Sequence, residues 1–378
     1  GKQLNGKWFV VFGSGPTGPI DTANFSFMGR SDQNLRLFVF DLALGPGTNN
    51  SNVRVIDTNI PNAFAGNIAL GTFDVDRNYA DDVVYVPYIY KGSDGNFNNG
   101  GIGRLLTREK LDPTQWEWGK VIENTGAVST GVAKLKRTTD SAKRDIWLYF
   151  GAGRFFYSIG NESDDSADPD PSNPIQRQLF GIKDPCVNPD ESTPGTAPFL
   201  ATCPAAITFC NTPVSSATCG GITNVDDVNV TKTIVVSDPA YKGWYLNMEP
   251  TAQYPLPETI DTKWYYRERT ITDPAATQSG IVYFTSFRPY KDPCEMGGIT
   301  HLWAMLYDTG GDPTPYLKGK AIIQVSTGSI EQVDLATAFT AAGHRKTAGI
   351  VGVPPTAQGI SVMAAPGAVK RPVHVRER

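Results

Sequence analysis

Long apolar runs are missing from this sequence. No window reaches the roughly 20 apolar residues of a membrane-spanning helix, and the densest run, Val83–Tyr90, is strand-sized and interrupted by Pro87. Charge is sparse: Asp, Glu, Lys and Arg make up 19% of the chain, below the usual quarter. Lys plus Arg number 34 against 38 Asp plus Glu, a net charge of −4, so no basic field exists to hold nucleic acid or an anionic membrane. Histidine is nearly absent, with His301, His344 and His374 only. The five cysteines form no Cys-x-x-Cys pair, and no histidine follows one at the spacing of a zinc knuckle or a haem attachment site. No Gly-x-Ser-x-Gly elbow, His-Glu-x-x-His pair or reactive-cysteine motif occurs.

What remains is a chain of 378 residues, 40% hydrophobic and 11% aromatic, ample for a large buried core. Gly (38) and Pro (28) are abundant, which favours short strands and turns over long helices. Strand-like runs rich in Val, Ile, Phe, Tyr and Trp end at Gly, Pro, Asn or Asp. They include Lys7–Phe12, Leu35–Asp41, Val53–Asp57, Ile68–Phe73, Val83–Tyr90, Ile102–Thr107, Asp145–Phe150 and Gln178–Ile182. Further on come Lys232–Val236, Trp244–Asn247, Trp264–Thr272, Gly280–Phe287, Thr300–Asp308, Lys320–Val325, Ala348–Val353 and Ile360–Met363. The fold class is all-β, with antiparallel sheets arranged radially as the blades of a modified β-propeller. One helix is predicted over Ile330–Ala342, from the capping box Ser329-x-x-Gln332, helically spaced Val333, Ala336, Thr337 and Phe339, and Gly343 as terminator.

The whole of 1–378 reads as one propeller region with two long irregular insertions, 160–176 and 185–228. Three cysteines, Cys203, Cys210 and Cys219, lie in the second of these, with Cys186 at its start and Cys294 far beyond. A loop so poor in core-forming pattern would gain most from covalent ties, so at least one disulfide is expected there, in an exported protein. The chain begins without an initiator Met and enters strand pattern at Trp8–Phe12, which reads as the loss of an upstream part. Val10-Val11-Phe12-Gly13-Ser14-Gly15 and Leu148-Tyr149-Phe150-Gly151-Ala152-Gly153 both end a strand in Phe-Gly-x-Gly, as equivalent strands turning at an inner rim would.

The sharpest local signal is Asp74-Val75-Asp76-Arg77-Asn78-Tyr79-Ala80-Asp81-Asp82. Asp74, Asp76, Asn78 and Asp82 fall at positions 1, 3, 5 and 9 of a calcium loop, with the Ala80 carbonyl at position 7. Carboxylates this close repel one another unless a hard cation neutralises them. Two features depart from the pattern: Tyr79 replaces the turn glycine, and Tyr85 stands where an EF-hand has its bidentate Glu. The other reading is a polar turn between two strands. A second acidic stretch, Asp164, Asp165, Asp168 and Asp170, is broken by Pro and Ser and reads as solvated loop. The glycines of Gly92–Gly103 precede no helix and no Lys-Ser/Thr, so they read as turn residues rather than a phosphate loop. His301, opening an apolar strand, reads as a core or edge residue and the tryptophans as core.

Several stretches resemble, in order, the C-terminal β-propeller of the PilC/PilY family of type IV pilus-associated adhesins. They are Gly6–Gly13, Leu148–Phe155 running on to Gln178–Ile182, Lys242–Leu246, Glu268–Pro274, and Phe284–Phe287 leading into Asp292–Gly298. The resemblance implies that Asp74, Asp76, Asn78, Ala80 (carbonyl) and Asp82 match the family's EF-hand-like calcium loop, with Arg77 and Tyr79 where that loop usually carries glycine. It implies Ca2+ as cofactor and no catalytic residues. It also implies an exported protein at the pilus tip, cell surface or outer membrane, supporting pilus assembly, opposing retraction and contributing to adhesion. The implied partners are major or minor pilins, the upstream region of the same precursor, and a host or abiotic surface. The first blades of the family's propeller lie upstream of Gly1 by the same comparison. Two rival readings are a quinoprotein-like propeller enzyme, which needs an axial cofactor pocket, and a lectin-like surface protein without a pilus role.

Overall fold

The computed structural model describes residues 6–23, 26–27, 29–45, 52–69, 71–136, 145–154, 176–188, 197–210, 218–249, 252–255, 262–290, 297–325, 330–339, 345–347, 349–352 and 355–363. These form five sheets of three or more strands, plus two short two-stranded pairs and four 3-10 turns. The chain is all-β, and its sheets are predominantly antiparallel, as the composition requires.

The first sheet holds Phe9–Gly13, Arg36–Asp41 and Val53–Asp57. The second is built on Ala63–Ala65, Val83–Tyr90, Asn99–Leu106 and Glu117–Glu123. The third centres on Trp147–Gly151, Gln178–Lys183 and Gly243–Asn247, the fourth on Ile281–Pro289 and Gly298–Leu306, and the fifth on Lys320–Val325. They stack face to face in chain order. Leu37 and Val39 of the first sheet meet Val84, Val86 and Leu105 of the second. On its other face the second presents Val83, Tyr85, Ile102 and Val121 to Leu148, Phe150, Phe180 and Tyr245 of the third. Trp147, Tyr149 and Trp244 of the third then pack on Val282, Phe284 and Met305 of the fourth, and Tyr283, Leu302 and Ala304 on Ala321 and Ile323 of the fifth. This sandwiching explains why Trp147–Gly151 and Ile281–Pro289 are buried at every residue instead of alternating.

At one end the sheets are tied rim to rim. Ala65 N donates to Ser14 O (2.9 Å), Asn67 N to Ser129 O (2.9 Å), Gly153 N to Ala127 O (2.7 Å) and Thr270 N to Ala152 O (3.1 Å). Asp273 reaches across, taking Asn67 Nδ2 at 2.9 Å and Gly131 N at 2.6 Å. The Phe-Gly-x-Gly echo lies on this rim. Gly153 adopts φ 156° with the backbone of Thr270 where a Cβ would stand, so the close approach needs glycine. Sequential face-to-face stacking around a shared rim is the packing of propeller blades.

Several expectations need correction. Ile330–Asp334 is a strand paired antiparallel with Lys320–Gln324, so no helix runs over Ile330–Ala342. The β-branched partner Ile322–Ile323 offers a ladder that outweighs the capping box, and Asp334 instead closes a single turn onto Ala336 N and Ala338 N. Ser329 and Gly343 lie outside the described residues. Lys232–Val236 is not a strand; Val230–Thr233 forms a 3-10 turn in that place. Of Ile68–Phe73 only Thr72–Phe73 is strand. Strands Ala63–Ala65 and Glu117–Glu123 were not anticipated, the second because Lys120 and three acidic or glycine positions mask its pattern. The stretch 185–228 is more ordered than expected, supplying Ile207–Thr208 to the second sheet and Thr218–Cys219 and Ile222–Asn224 to the third. The cysteines pair within it as Cys186–Cys203 and Cys210–Cys219. Cys294, residues 160–175 with Asp164, Asp165, Asp168 and Asp170, and His344 and His374 lie outside the described residues.

Candidate metal centre

The loop Asp74–Asp82 joins the short strand Thr72–Phe73 to the long strand Val83–Tyr90, and its ends are pinned by Asp82 N donating to Phe73 O at 3.0 Å. Between them the chain curls through two left-handed residues, Arg77 (φ 66°) and Tyr79 (φ 73°). These are the two positions where the resembled loop carries glycine, so the backbone adopts the glycine conformation although the side chains make it costlier. Tyr79 is 94% exposed, so its ring has no clash to avoid.

The curl turns alternate side chains inward. Asp74 takes Arg77 N (2.6 Å) and Asn78 N (3.2 Å) on Oδ1 and Tyr79 N (2.8 Å) on Oδ2. Asp76 accepts Asn78 N (3.2 Å) and Asn78 Nδ2 (3.1 Å), and Asn78 Oδ1 accepts Ala80 N at 2.9 Å. Asp82 Oδ2 accepts Val75 N at 2.7 Å. One carboxylate oxygen from each of Asp74, Asp76 and Asp82 lies within 4.8 Å of the others. Asn78 joins the cluster through Asp76, whereas Ala80 enters only through its amide, and its carbonyl accepts no hydrogen bond from the described residues.

Electrostatically the loop is under load. Asp82 is 1% exposed. Burial pushes its carboxyl up to about 7 against the Val75 amide, with the charges of Asp76, Glu109 and Asp74 adding to the rise. Asp81, at position 8 of the loop, is exposed, and its carboxyl is raised by partial desolvation and by Asp74, with Lys134 opposing. Two lysines, one in and one just after Ala133–Leu135, an edge strand of the third sheet, hold backbone carbonyls of this region: Lys134 Nζ donates to Thr72 O and Lys136 Nζ to Val75 O, both 3.1 Å. Burial brings Lys134 down to about 8. The donor set is all oxygen and rich in carboxylate, which suits a hard cation such as Ca2+.

Tyr85, at position 12 of the loop, is occupied elsewhere. Its hydroxyl donates to Asp184 Oδ2 at 2.8 Å, while Arg104 Nη1 holds Asp184 Oδ1 at 2.8 Å. That buried network explains structurally why no bidentate Glu stands there.

A carboxylate that the sequence reading missed comes from another loop. The turn after Asn99–Leu106 docks on the candidate centre: Thr107 N and Arg108 N donate to Asp82 O (2.9 and 3.4 Å), and the Thr107 hydroxyl to Asp81 O. Arg108 (φ 47°) and Glu109 (φ 57°) are both left-handed, and Glu109 Oε1 accepts Asn78 Nδ2 at 2.6 Å. No local motif announces Glu109, because its relation to Asn78 is created by the hairpin register that sets Val83 opposite Leu106.

A second polar centre lies between the third and fourth sheets. Glu268 is fully buried, accepting the Ser286 hydroxyl, Trp303 Nε1 (3.2 Å), Lys346 Nζ (3.0 Å) and Glu249 N (3.0 Å). Burial alone would raise its carboxyl; the Lys346 ammonium foremost, with His301, Ser286 and the Glu249 amide, reverses that to about 2. His301 places Nδ1 3.2 Å from Thr347 O. It is a core-edge residue, as its position at the head of an apolar strand implied. Every partner of Glu268 serves to satisfy it, so this centre reads as a polar tie between sheets.

No protein-family model and no curated protein matches this sequence. The structure is similar to the crystal structure of the Pseudomonas aeruginosa PilY1 C-terminal domain, with a TM-score of 0.48 and 14% sequence identity, covering 95% of this chain and 64% of that one. The chain thus spans somewhat less than two thirds of the length of that domain's chain.

Proposed function

We propose that this chain is a non-enzymatic, calcium-binding β-propeller region of an exported, type IV pilus-associated protein, supporting pilus assembly and surface attachment. The calcium reading is carried by one observation: three loop carboxylates converge with the innermost, Asp82, buried and pushed toward neutrality. A divalent ion would relieve that repulsion and restore Asp82 to its charged form. Asp74, Asp76, Asn78 and Asp82 would supply side-chain oxygens, and Ala80 its carbonyl. The pilus reading rests on the ordered stretches from Gly6 to Gly298. Two disulfides fit an oxidising compartment, and among the described residues no helix is long and apolar enough to cross a membrane.

Calorimetry and thermal unfolding test the ion. Lacking a position-12 Glu, affinity is expected near 10⁻⁴ M or weaker, so 5 mM Ca2+ should stabilise by about 2 kcal/mol, Mg2+ far less. Asp82→Ala should remove the increment. No heat and no shift at millimolar Ca2+ would leave the loop a hydrogen-bonded polar turn. The pilus role is tested separately, by whether a strain lacking the full-length protein loses surface pili.

A further inference from the structure

Among the described residues, the first sheet lacks a strand that its neighbours have. In the second, third and fourth sheets a short segment, Ala63–Ala65, Ala133–Leu135 or Ala275–Ala276, pairs antiparallel with the first long strand. Each sets an alanine opposite a tyrosine: Ala65 and Tyr88, Ala133 and Tyr149, Ala275 and Tyr283. Phe9–Gly13, the first strand of the first sheet, pairs only with Arg36–Asp41.

Phe9–Gly13 and Trp147–Gly151 are equivalent in more than their Phe-Gly-x-Gly ending. Ser14 N donates to Arg36 O and Ala152 N to Gln178 O, both at 2.8 Å, while Ser14 O accepts Ala65 N as Ala152 O accepts Thr270 N. A Cβ on Gly13 would collide with the Ala65 side chain, and one on Gly151 with that of Thr270. Phe9 and Val11 pack toward the following sheet, as Trp147 and Tyr149 do. The alternation of an antiparallel ladder fixes where the backbone groups point. Leu42 N donates to Trp8 O and Ser14 N to Arg36 O, so Val10 and Phe12 also turn theirs to Arg36–Asp41. Those of Phe9 and Val11 point away, and no described residue bonds them. At the equivalent positions Trp147 and Tyr149 stand opposite Leu135 and Ala133. The edge is also unguarded. Free edges are commonly blunted by charge or proline. Val53–Asp57, across the same sheet, has exposed Arg54 and Asp57, whereas Phe9-Val10-Val11-Phe12-Gly13 has neither charge nor proline.

We propose that the edge of Phe9–Gly13 is a peptide-binding site that takes one short antiparallel strand of a partner polypeptide. A small residue such as alanine would lie opposite Val11 and a larger apolar one opposite Phe9, with backbone hydrogen bonds supplying the affinity. The site rests on neither the calcium loop nor the pilus reading. The probe is a capped peptide with the sequence of residues 131–136, Gly-Val-Ala-Lys-Leu-Lys. Titrated into the isotope-labelled chain and followed by NMR, it should bind with Kd on the order of 1 mM. It should slow hydrogen exchange at the Phe9 and Val11 amides and leave those of Trp147 and Tyr149, already covered, unchanged. N-methylation of the peptide's alanine and leucine should abolish binding, and N-methylation of the lysine between them should not. Val11→Pro, at an amide the sheet does not use, should keep the melting temperature and weaken the peptide at least about tenfold. The inference is overturned if exchange at Phe9 and Val11 is unaltered at ~10 mM peptide. It is equally overturned if the doubly N-methylated peptide binds as well as its parent, or if the folded Val11→Pro protein binds the parent peptide unchanged.

Discussion

Glu109 and Asn78 meet across two loops that are 31 positions apart in sequence, Oε1 to Nδ2, at 2.6 Å. The contact places a fourth carboxylate beside Asp74, Asp76 and Asp82 and fixes the amide plane of Asn78. Outer partners that orient a ligand typically matter 10–100-fold in metal affinity. Glu109→Ala should therefore weaken calcium binding at least about tenfold while leaving the apo melting temperature nearly unchanged, since the side chain is on the surface. Equal affinity in calorimetry would reduce the contact to a surface hydrogen bond.

The buried Asp82 would make the proposed calcium binding depend on pH. Burial pushes its carboxyl up to about 7 in the folded chain, against an ordinary 3.8. Between those values the folded chain retains a proton that the unfolded chain has lost, so apo stability should fall as pH rises from about 4 to 7 and then level off. Calcium competes with that proton. The calcium-induced rise in melting temperature should be larger at pH 8 than at pH 5.5, and Asp82→Asn should flatten both trends. A calcium increment independent of pH would show that Asp82 is not a ligand.

The first sheet presents an apolar outer face. Register places Val10 opposite Phe40 and Phe12 opposite Phe38, with Val55 beside Phe38 on the next strand. Phe12 stacks on Phe38 and Phe40 at 5.2 and 5.3 Å, yet Val10, Phe12 and Val55 are 44%, 42% and 45% exposed. Neighbouring sheets cover such faces elsewhere in the chain. The double variant Phe12→Thr, Val55→Thr should reduce concentration-dependent association in sedimentation experiments, with stability changed by less than about 1 kcal/mol. Unaltered association would mean that another surface drives it.

His301 makes the other pH prediction. Burial and the Lys346 charge depress it to about 4, with Glu268 and the Thr347 carbonyl opposing, against an ordinary 6.5. Over that window the unfolded chain binds a proton that the folded chain excludes, so stability is full above about 6.5 and declines toward pH 4. His301→Gln should flatten this part of the unfolding profile. A profile as steep as wild type would assign acid sensitivity to other groups.

The sequence made the all-β class, the strands Val53–Asp57, Val83–Tyr90 and Lys320–Val325, and the convergence of the Asp74, Asp76 and Asp82 carboxylates readable, because each is a local pattern. Its errors share a physical cause. Ile330–Asp334 has a helical start signal, but pairing with Lys320–Gln324 decides its state, and pairing is a property of two segments. The stretch 185–228 looks coreless because Phe199, Ile207, Phe209 and Ile222 are widely spaced; folding brings all four into the cluster between the second and third sheets. The contact of Glu109 with Asn78 arises only once a hairpin brings two distant turns together. Trp8, read as core, is 80% exposed, showing that aromatic identity alone does not assign a side to a strand end.

Each apolar cluster between successive sheets is filled from both sides, so no sheet owns its core. Phe284 faces Trp244 of the preceding sheet, while its strand neighbour Tyr283 faces the following one. Stability in such an array is set at interfaces between neighbours, as in linear repeat proteins. A chain cut between Lys183 and Gly243 would leave two fragments, each carrying half of a buried layer. Damage at one strand should therefore travel outward in both directions, loosening the adjoining blades before the distant ones, and hydrogen exchange after a single core substitution should map as a gradient centred on that strand.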